Sequence, residues 1–165
     1  MRRTLAVFAL GLTTLLGACG FQPVYAPGAS ARTLGNITIP EIEGRTGFLL
    51  RQELQKRVAA GATDPGAPNR TLFLTLKEDL LPVVTRIDGF ASRSDLSGTV
   101  VYYLSPAKPG DKPISGFMVV SVGLNQEGAP FGDVALQSDA EERLATAIAE
   151  RLHAEILLKS AAPKP

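Results

Sequence analysis

The chain has 165 residues, of which 45% are hydrophobic and 20% charged, and this is enough for one globular domain with its own core. Seventeen basic and sixteen acidic residues give a net charge of +1, which excludes the broad positive field that generic nucleic-acid binding needs. One cysteine and one histidine exclude a disulfide framework, a Cys/His zinc site and a Cys-x-x-Cys redox centre within the chain.

The first 18 residues have the pattern of a signal peptide. A basic start at Arg2 and Arg3 precedes an uncharged run over residues 5–18, which as a helix of about 21 Å is too short for a hydrocarbon core of about 30 Å. The run ends in Leu16-Gly17-Ala18-Cys19, which resembles the lipobox of bacterial lipoproteins. The alternative is an ordinary secretory signal with a chance cysteine near its end.

The lipobox resemblance implies cleavage before Cys19 and acylation of its thiol and new amino group, including palmitate-type chains. Two or more acyl chains hold a protein firmly on a bilayer. Cleavage would remove Arg2 and Arg3 and change the net charge from +1 to −1. By analogy with bacterial sorting rules, glycine rather than aspartate directly after Cys19, at Gly20, implies sorting to the outer membrane of a Gram-negative cell. The domain would then face the periplasm or a barrel lumen.

The first part of the remaining chain predicts a tether, a strand and a helix. Residues 19–33 are rich in Pro, Gly and small side chains, which is typical of an extended tether. Residues 34–40 alternate in polarity and end at Pro40, which indicates a short strand. Residues 46–60 carry apolar side chains every four positions and precede Gly61, which predicts a helix with a glycine cap.

Three strands and a second helix follow. Strands are predicted over residues 71–77, with a bulged extension through Pro82 to Ile87, over 99–104 and over 114–124. Ser138 and Glu141 form a capping-box pattern, which predicts a helix from there to about Leu158. Residues 160–165 are expected to be a flexible tail.

These elements predict an α+β fold in the order β-α-β-β-β-α. The short connections favour a mainly antiparallel sheet, and both amphipathic helices would bury their apolar faces on one side of it as a two-layer sandwich. The chain is therefore divided into a signal peptide over 1–18, an acylated tether over 19–33, an α+β domain over 34–159 and a tail over 160–165.

Residues with catalytic chemistry are scarce and scattered. His153 lies late in the second predicted helix, and the aspartates lie in separate turns and helix starts, so no pair is selected for acid/base work. We expect no catalytic residue, no metal site and no cofactor, and thus a protein that is not an enzyme. The segment 85–95 is the exception, because it places Arg86 and Arg93 on one predicted loop, where they could bind phosphate. A solvated turn with Asp88 and Asp95 as salt-bridge partners explains the same residues.

The run Cys19-Gly20-Phe21-Gln22-Pro23-Val24-Tyr25 resembles the start of the mature LPS-assembly lipoprotein LptE family, and the order of elements up to the helix around residues 135–143 agrees with it. The resemblance implies a plug inside the LptD β-barrel of the outer membrane that assists barrel assembly and contacts lipopolysaccharide. Arg86 and Arg93 are then the candidate lipopolysaccharide ligands. Ser138 and Asp139 depart from the basic character that an anionic ligand would favour.

A second function fits the same pattern. A periplasm-facing lipoprotein could bind a small lipid or peptide in a groove between the helices and the sheet, and an enclosed apolar pocket there would favour it.

Overall fold

The computed structural model describes residues 36–61, 69–85, 87, 91–125 and 130–161. The elements in chain order are β1 (Ile37–Thr38), α1 (Arg45–Gly61), β2 (Arg70–Thr85), β3 (Ala91–Leu104), β4 (Ile114–Asn125) and α2 (Pro130–Ala161). This order confirms the predicted α+β class. The signal peptide, Cys19 and the tether lie outside the described residues.

The four strands form one sheet in the order β1-β2-β3-β4. β2, β3 and β4 are joined by antiparallel pairing, as the short connections predicted, whereas β1 pairs in parallel with β2. β1 is shorter than expected and pairs only with Arg70 and Thr71. The sheet is therefore a three-stranded antiparallel meander with a short parallel edge.

Both helices cover the same face of this sheet. Side chains at even positions of β2, β3 and β4 point toward the helices, and the buried apolar ones are Leu72, Leu96, Val100, Tyr102, Leu104, Met118 and Leu124. They meet a stripe on α2 that is buried at Leu144, Ile148, Leu152 and Ile156, together with Leu50 and Leu54 of α1. Burial of each such side chain contributes roughly 1.5 to 3 kcal/mol. The core thus fills the space between the helical layer and the sheet.

Gly98 lies where α2 crosses β3. A Cβ atom on Gly98 would lie 3.0 Å from Cδ1 of Ile148 and 3.3 Å from Cδ2 of Leu144. These distances are shorter than ordinary carbon contacts, so the absence of a side chain lets the helix approach the strand closely. The register of α2 along the sheet depends on this contact.

The second helix begins at Pro130, eight residues before the predicted start, and the capping-box interpretation of Ser138 and Glu141 is wrong. Proline is favoured at the first helical position, and Asp133 places a negative charge in the first turn. Glu141 pairs with Arg45 at 2.6 Å, and the carbonyl of Ser138 also accepts from Arg45 at 3.3 Å. Ser138 and Glu141 thus contact α1 through Arg45, and they do not cap α2. Helix α2 continues to Ala161, so it includes the first two residues of the expected tail.

The hairpin of β2 and β3 is longer than predicted. β3 begins at Ala91 rather than at residue 99, and it pairs with β2 as far as Thr85. The register shifts between Pro82 and Thr85, which confirms the predicted irregularity around a proline that cannot donate to the ladder. Much of the segment 85–95 is therefore paired strand and not loop.

Candidate anion-binding site

The structure describes one of the two arginines that the sequence placed on one predicted loop. Arg93 is an exposed residue within β3, where it pairs in register with Val84 and with Asn125. Arg86 and Asp88 lie outside the described residues. Arg93 occupies an odd position of its strand, so its side chain is on the sheet face that the helices do not cover.

A second arginine, which the sequence interpretation did not select, lies near the same residue of β4 as Arg93. Arg143 on α2 donates from Nη2 to the carbonyl of Gly123 at 3.1 Å and from Nε to Asp139 at 2.8 Å. Nη2 of Arg93 lies 3.4 Å from the position that a Cβ on Gly123 would occupy. This is an ordinary van der Waals distance, so the guanidinium of Arg93 lies against β4 at Gly123, the residue whose carbonyl accepts from Arg143.

A cavity of about 450 Å³ lies at this end of β4. It is lined by Arg93, Gly123, Leu124, Asn125, Leu136 and Arg143. Two guanidiniums and one amide give many hydrogen-bond donors, and guanidinium binds phosphate or carboxylate in a bidentate geometry. The arrangement is suited to an anionic group rather than to an apolar ligand.

Two carboxylates limit the positive potential of this site. Asp139 accepts from Arg143, and Oδ1 of Asp95 lies 3.4 Å from the Cβ position of Gly123, beside Arg93. The four charges balance when no ligand is present. An anion would therefore bind through directed hydrogen bonds from the arginines and would be opposed by Asp95.

Three basic side chains of α2 hydrogen-bond along the edge strand β4. Arg143, Arg151 and Lys159 donate to the carbonyls of Gly123, Val119 and Ser115 at 3.1, 3.3 and 2.8 Å. The helical residues are eight apart, or about 12 Å, and the strand residues are four apart, or about 13 Å, so the two spacings match. The carbonyls that these side chains occupy are not free to pair with an added strand.

Lys159 also joins a polar cluster around the buried Tyr102. The hydroxyl of Tyr102 donates to Glu155 at 2.6 Å and accepts from Lys159 at 2.8 Å, and Lys159 pairs with Glu155 at 2.9 Å. Burial and the hydrogen bond to Glu155 raise the pKa of Tyr102. Burial alone would raise the pKa of Glu155, but the hydrogen bonds from Lys159 and Tyr102 outweigh it and lower that pKa. This closed network stabilises the C-terminal part of α2 on the sheet.

His153 lies half-buried on α2. Burial, together with the positive charge of Arg57, lowers the pKa of His153. Within the described ranges, no three His, Cys, Asp or Glu side chains lie close enough to hold a metal ion. In the same part of the chain, no helix is long and apolar enough to cross a membrane.

Several solved structures have a similar fold. The chain is similar to a protein from Caulobacter crescentus solved as a candidate lipoprotein, with a TM-score of 0.63, 23% identity, and coverage of 84% of this chain and 100% of the other. It is also similar to the minor lipoprotein of Acinetobacter baumannii, with a TM-score of 0.54, 14% identity and coverage of 79% and 99%.

Rare lipoprotein B from Shewanella oneidensis is a third match, with a TM-score of 0.51, 12% identity and coverage of 76% of this chain and 90% of the other. No protein-family model matches the chain, and no curated protein sequence matches it. At these identities the comparisons show the fold. The described domain therefore has a fold that occurs in bacterial proteins solved as lipoproteins.

Proposed function

We propose that this protein is an outer-membrane lipoprotein, anchored through acylated Cys19, that assists a β-barrel of the LptD kind in lipopolysaccharide transport. The observation that carries the proposal is the α+β fold shared with solved lipoproteins, rare lipoprotein B among them, in a chain whose residues 16–19 also resemble a lipobox. The resemblance of residues 19–25 to the LptE family supplies the barrel and the lipopolysaccharide as partners. The protein acts by contact and not by catalysis.

The cavity between Arg93 and Arg143 supports the lipopolysaccharide part of the proposal. Lipopolysaccharide carries phosphate groups, and each of the two guanidiniums that line the cavity can bind phosphate in a bidentate geometry. Arg143 replaces Arg86 as the partner of Arg93 in this proposal, because both side chains line one cavity. The sheet edge, not a loop tip, provides the contact.

The anchor and the barrel partner are tested together by affinity purification from membranes, with the bound proteins identified by mass. We expect a large outer-membrane β-barrel protein with the wild-type chain, and an N-terminal peptide that carries acyl groups on Cys19. Cys19→Ser is the matched control, and it should remain unprocessed and lose the acyl groups. Recovery of the chain alone, with an unmodified thiol, would contradict the proposal.

The phosphate contact is tested with variants of the cavity. Arg93→Gln with Arg143→Gln should weaken binding of purified lipopolysaccharide about a hundredfold or more, since each lost charge-assisted contact contributes roughly 1.5 to 3 kcal/mol and about 1.4 kcal/mol is a factor of ten. Asp95→Asn should strengthen binding, because it removes the opposing charge. Arg57→Gln is the control, since Arg57 pairs with Glu150 on the helical layer, away from the cavity. Equal binding by all four proteins would remove the cavity from the proposal.

A further inference from the structure

The sheet face opposite the helices has a small aromatic patch at one end. The patch consists of Phe73, Val101, Tyr103 and Phe117, whose exposed fractions lie between 42% and 73%. These side chains are neighbours across three strands, because Phe73 pairs with Tyr103 and Val101 pairs with Phe117. The rings of Phe73 and Tyr103 are 6.3 Å apart. Large apolar side chains that lie together in water gain free energy when they are covered.

The aromatic patch lies at the end of the face where the chain enters the sheet. The carbonyl of Asn36 accepts from the amide of Arg70 at 2.9 Å, and Phe73 is three residues further along β2, or about 10 Å. In the other direction along β2, the patch ends at Lys77 and Asp79, which form an exposed ion pair at 3.3 Å. The apolar surface is therefore next to the point where the N-terminal segment joins the domain.

The N-terminal segment contains one short stretch that matches the patch in chemistry. Phe21-Gln22-Pro23-Val24-Tyr25 has two aromatic rings and one valine in five residues. The ten residues that follow, 26–35, have one large apolar side chain, Leu34, among mostly small residues. Proline within the stretch restricts its backbone, so less conformational entropy is lost when the stretch is bound. Residues 21–25 are thus the part of this segment that gains most from burial against aromatic side chains.

The ten connecting residues are long enough to reach the patch. Phe117 lies in the same row of the sheet as Thr75, two strands away, and this row is six residues beyond the level of Asn36. The distance from Asn36 to Phe117 is therefore about 25 Å, whereas ten residues span up to about 33 Å. Leu81, further along the same face, is twelve residues beyond that level, or about 40 Å. The aromatic patch is within reach of Tyr25, and the far end of the face is not.

We propose that residues 21–25 fold back onto the aromatic patch of the same chain, so that their aromatic rings cover those of the patch. Cys19 precedes Phe21 by two residues, so docking brings Cys19 within about 7 Å of the bound stretch. An acyl anchor on Cys19 would then leave the domain beside this end of the uncovered face, and it would fix which side of the domain is nearest to the bilayer. The inference depends neither on a barrel partner nor on lipopolysaccharide.

The size of the patch favours an occupant from the same chain over a second copy. Two rows of side chains on three strands cover about 200 Å². A stable interface between proteins buries about 800 Å² on each partner, which is several times more. A stretch of five residues matches the smaller area. Because a short linker keeps this stretch at an effective concentration of about millimolar, a weak contact is enough to hold it on the patch.

Photo-crosslinking of the purified full chain in a nonionic detergent tests this placement. A benzophenone amino acid in place of Phe117 should crosslink to the peptide that contains residues 21–25, identified by mass after digestion. The same group in place of Phe48, which is 54% exposed on α1, is one control. The group in place of Leu81, which is 56% exposed but out of reach, is the second. Neither control should give the product.

Phe21→Ser with Tyr25→Ser should lower the crosslinking yield at Phe117 fivefold or more, and unchanged helical circular dichroism checks that this variant is folded. Equal yields from the variant and the wild type, or no product with residues 21–25, would overturn the inference. Products that join two chains, seen after labelled and unlabelled protein are mixed, would assign the patch to self-association and also overturn it. Copurification of a β-barrel tests the proposed function separately from all these outcomes.

Discussion

The close approach of α2 to β3 predicts a measurable energetic coupling between Gly98 and Ile148. Gly98→Ala should destabilise the fold by about 1 to 2 kcal/mol, because its Cβ would meet Cδ1 of Ile148 at 3.0 Å. Ile148→Val alone should cost about 1 kcal/mol for one lost methylene. In the double variant the nearest atom, Cδ1 of Ile148, is gone, and the methyl groups of Leu144 and Leu76 at 3.3 Å remain. We therefore expect it to be more stable than the sum of the single effects by about 1 kcal/mol.

Urea unfolding followed by helical circular dichroism measures this coupling, and the chain has no tryptophan to follow instead. The control is Ile156→Val, which removes the same methylene from the same buried stripe, two turns further along α2. Its effect should add to that of Gly98→Ala to within about 0.5 kcal/mol. Additivity in the Ile148 pair as well would refute the packing argument, and with it the register that brings Arg143 to Gly123.

Three further predictions concern the polar contacts of α2. Tyr102→Phe removes the hydroxyl that bridges Glu155 and Lys159, and should lower the free energy of unfolding by about 1 kcal/mol in urea titrations. The pKa of His153 is lowered in the folded state, so the unfolded chain binds a proton at this side chain more tightly than the folded chain does. The free energy of unfolding should therefore fall as the pH drops below 6.5. His153→Gln should remove this dependence on pH. Arg151→Ala frees the carbonyl of Val119 on the edge strand, so sedimentation velocity should show more self-association than for wild type.

Local patterns in the sequence predicted the elements that bury one face. The alternation in β2 and the four-residue spacing in α2 each identify a core side without any tertiary information. The α2 stripe and Leu72 are buried, and Leu74 and Leu76 are partly buried against the same core. The proline irregularity near Pro82 was also predictable, because a missing N–H is a local property. The fold class followed from the order of these elements and from their short connections.

The start of α2 was mispredicted because a local pattern has more than one use. Ser138 and Glu141 satisfy the capping-box spacing, but Glu141 pairs with Arg45, which is 96 residues away. The sequence contains no sign of that partner. Pro130 and Asp133 were the better signals for the start of α2. Proline is favoured at the first helical position, whereas serine at the capping-box spacing can also lie inside a helix.

Only one of the two arginines of the candidate site was predicted from the sequence, for a similar reason. Arg93 was selected from its neighbourhood, but its partner Arg143 is 50 residues further along and forms an i, i+4 pair with Asp139, a pattern typical of an ordinary solvated helix face. Its contact with Gly123 depends on how α2 is aligned with β4. That alignment follows from buried contacts such as Gly98 with Ile148, which no sequence pattern specifies.

Arg143 can bind the carbonyl of the edge strand and an anion at the same time, because its guanidinium has several donors. A guanidinium has five N–H donors, and within the described residues Arg143 uses one on Asp139 and one on the carbonyl of Gly123. Three remain for a ligand in the cavity that Arg143 lines. A lysine at this position would have three donors from a single nitrogen, and it could not hold the strand and the helix carboxylate while presenting a flat pair of donors to phosphate. Anion binding therefore need not open the β4 edge, and the sheet face beside it stays in register while a ligand binds.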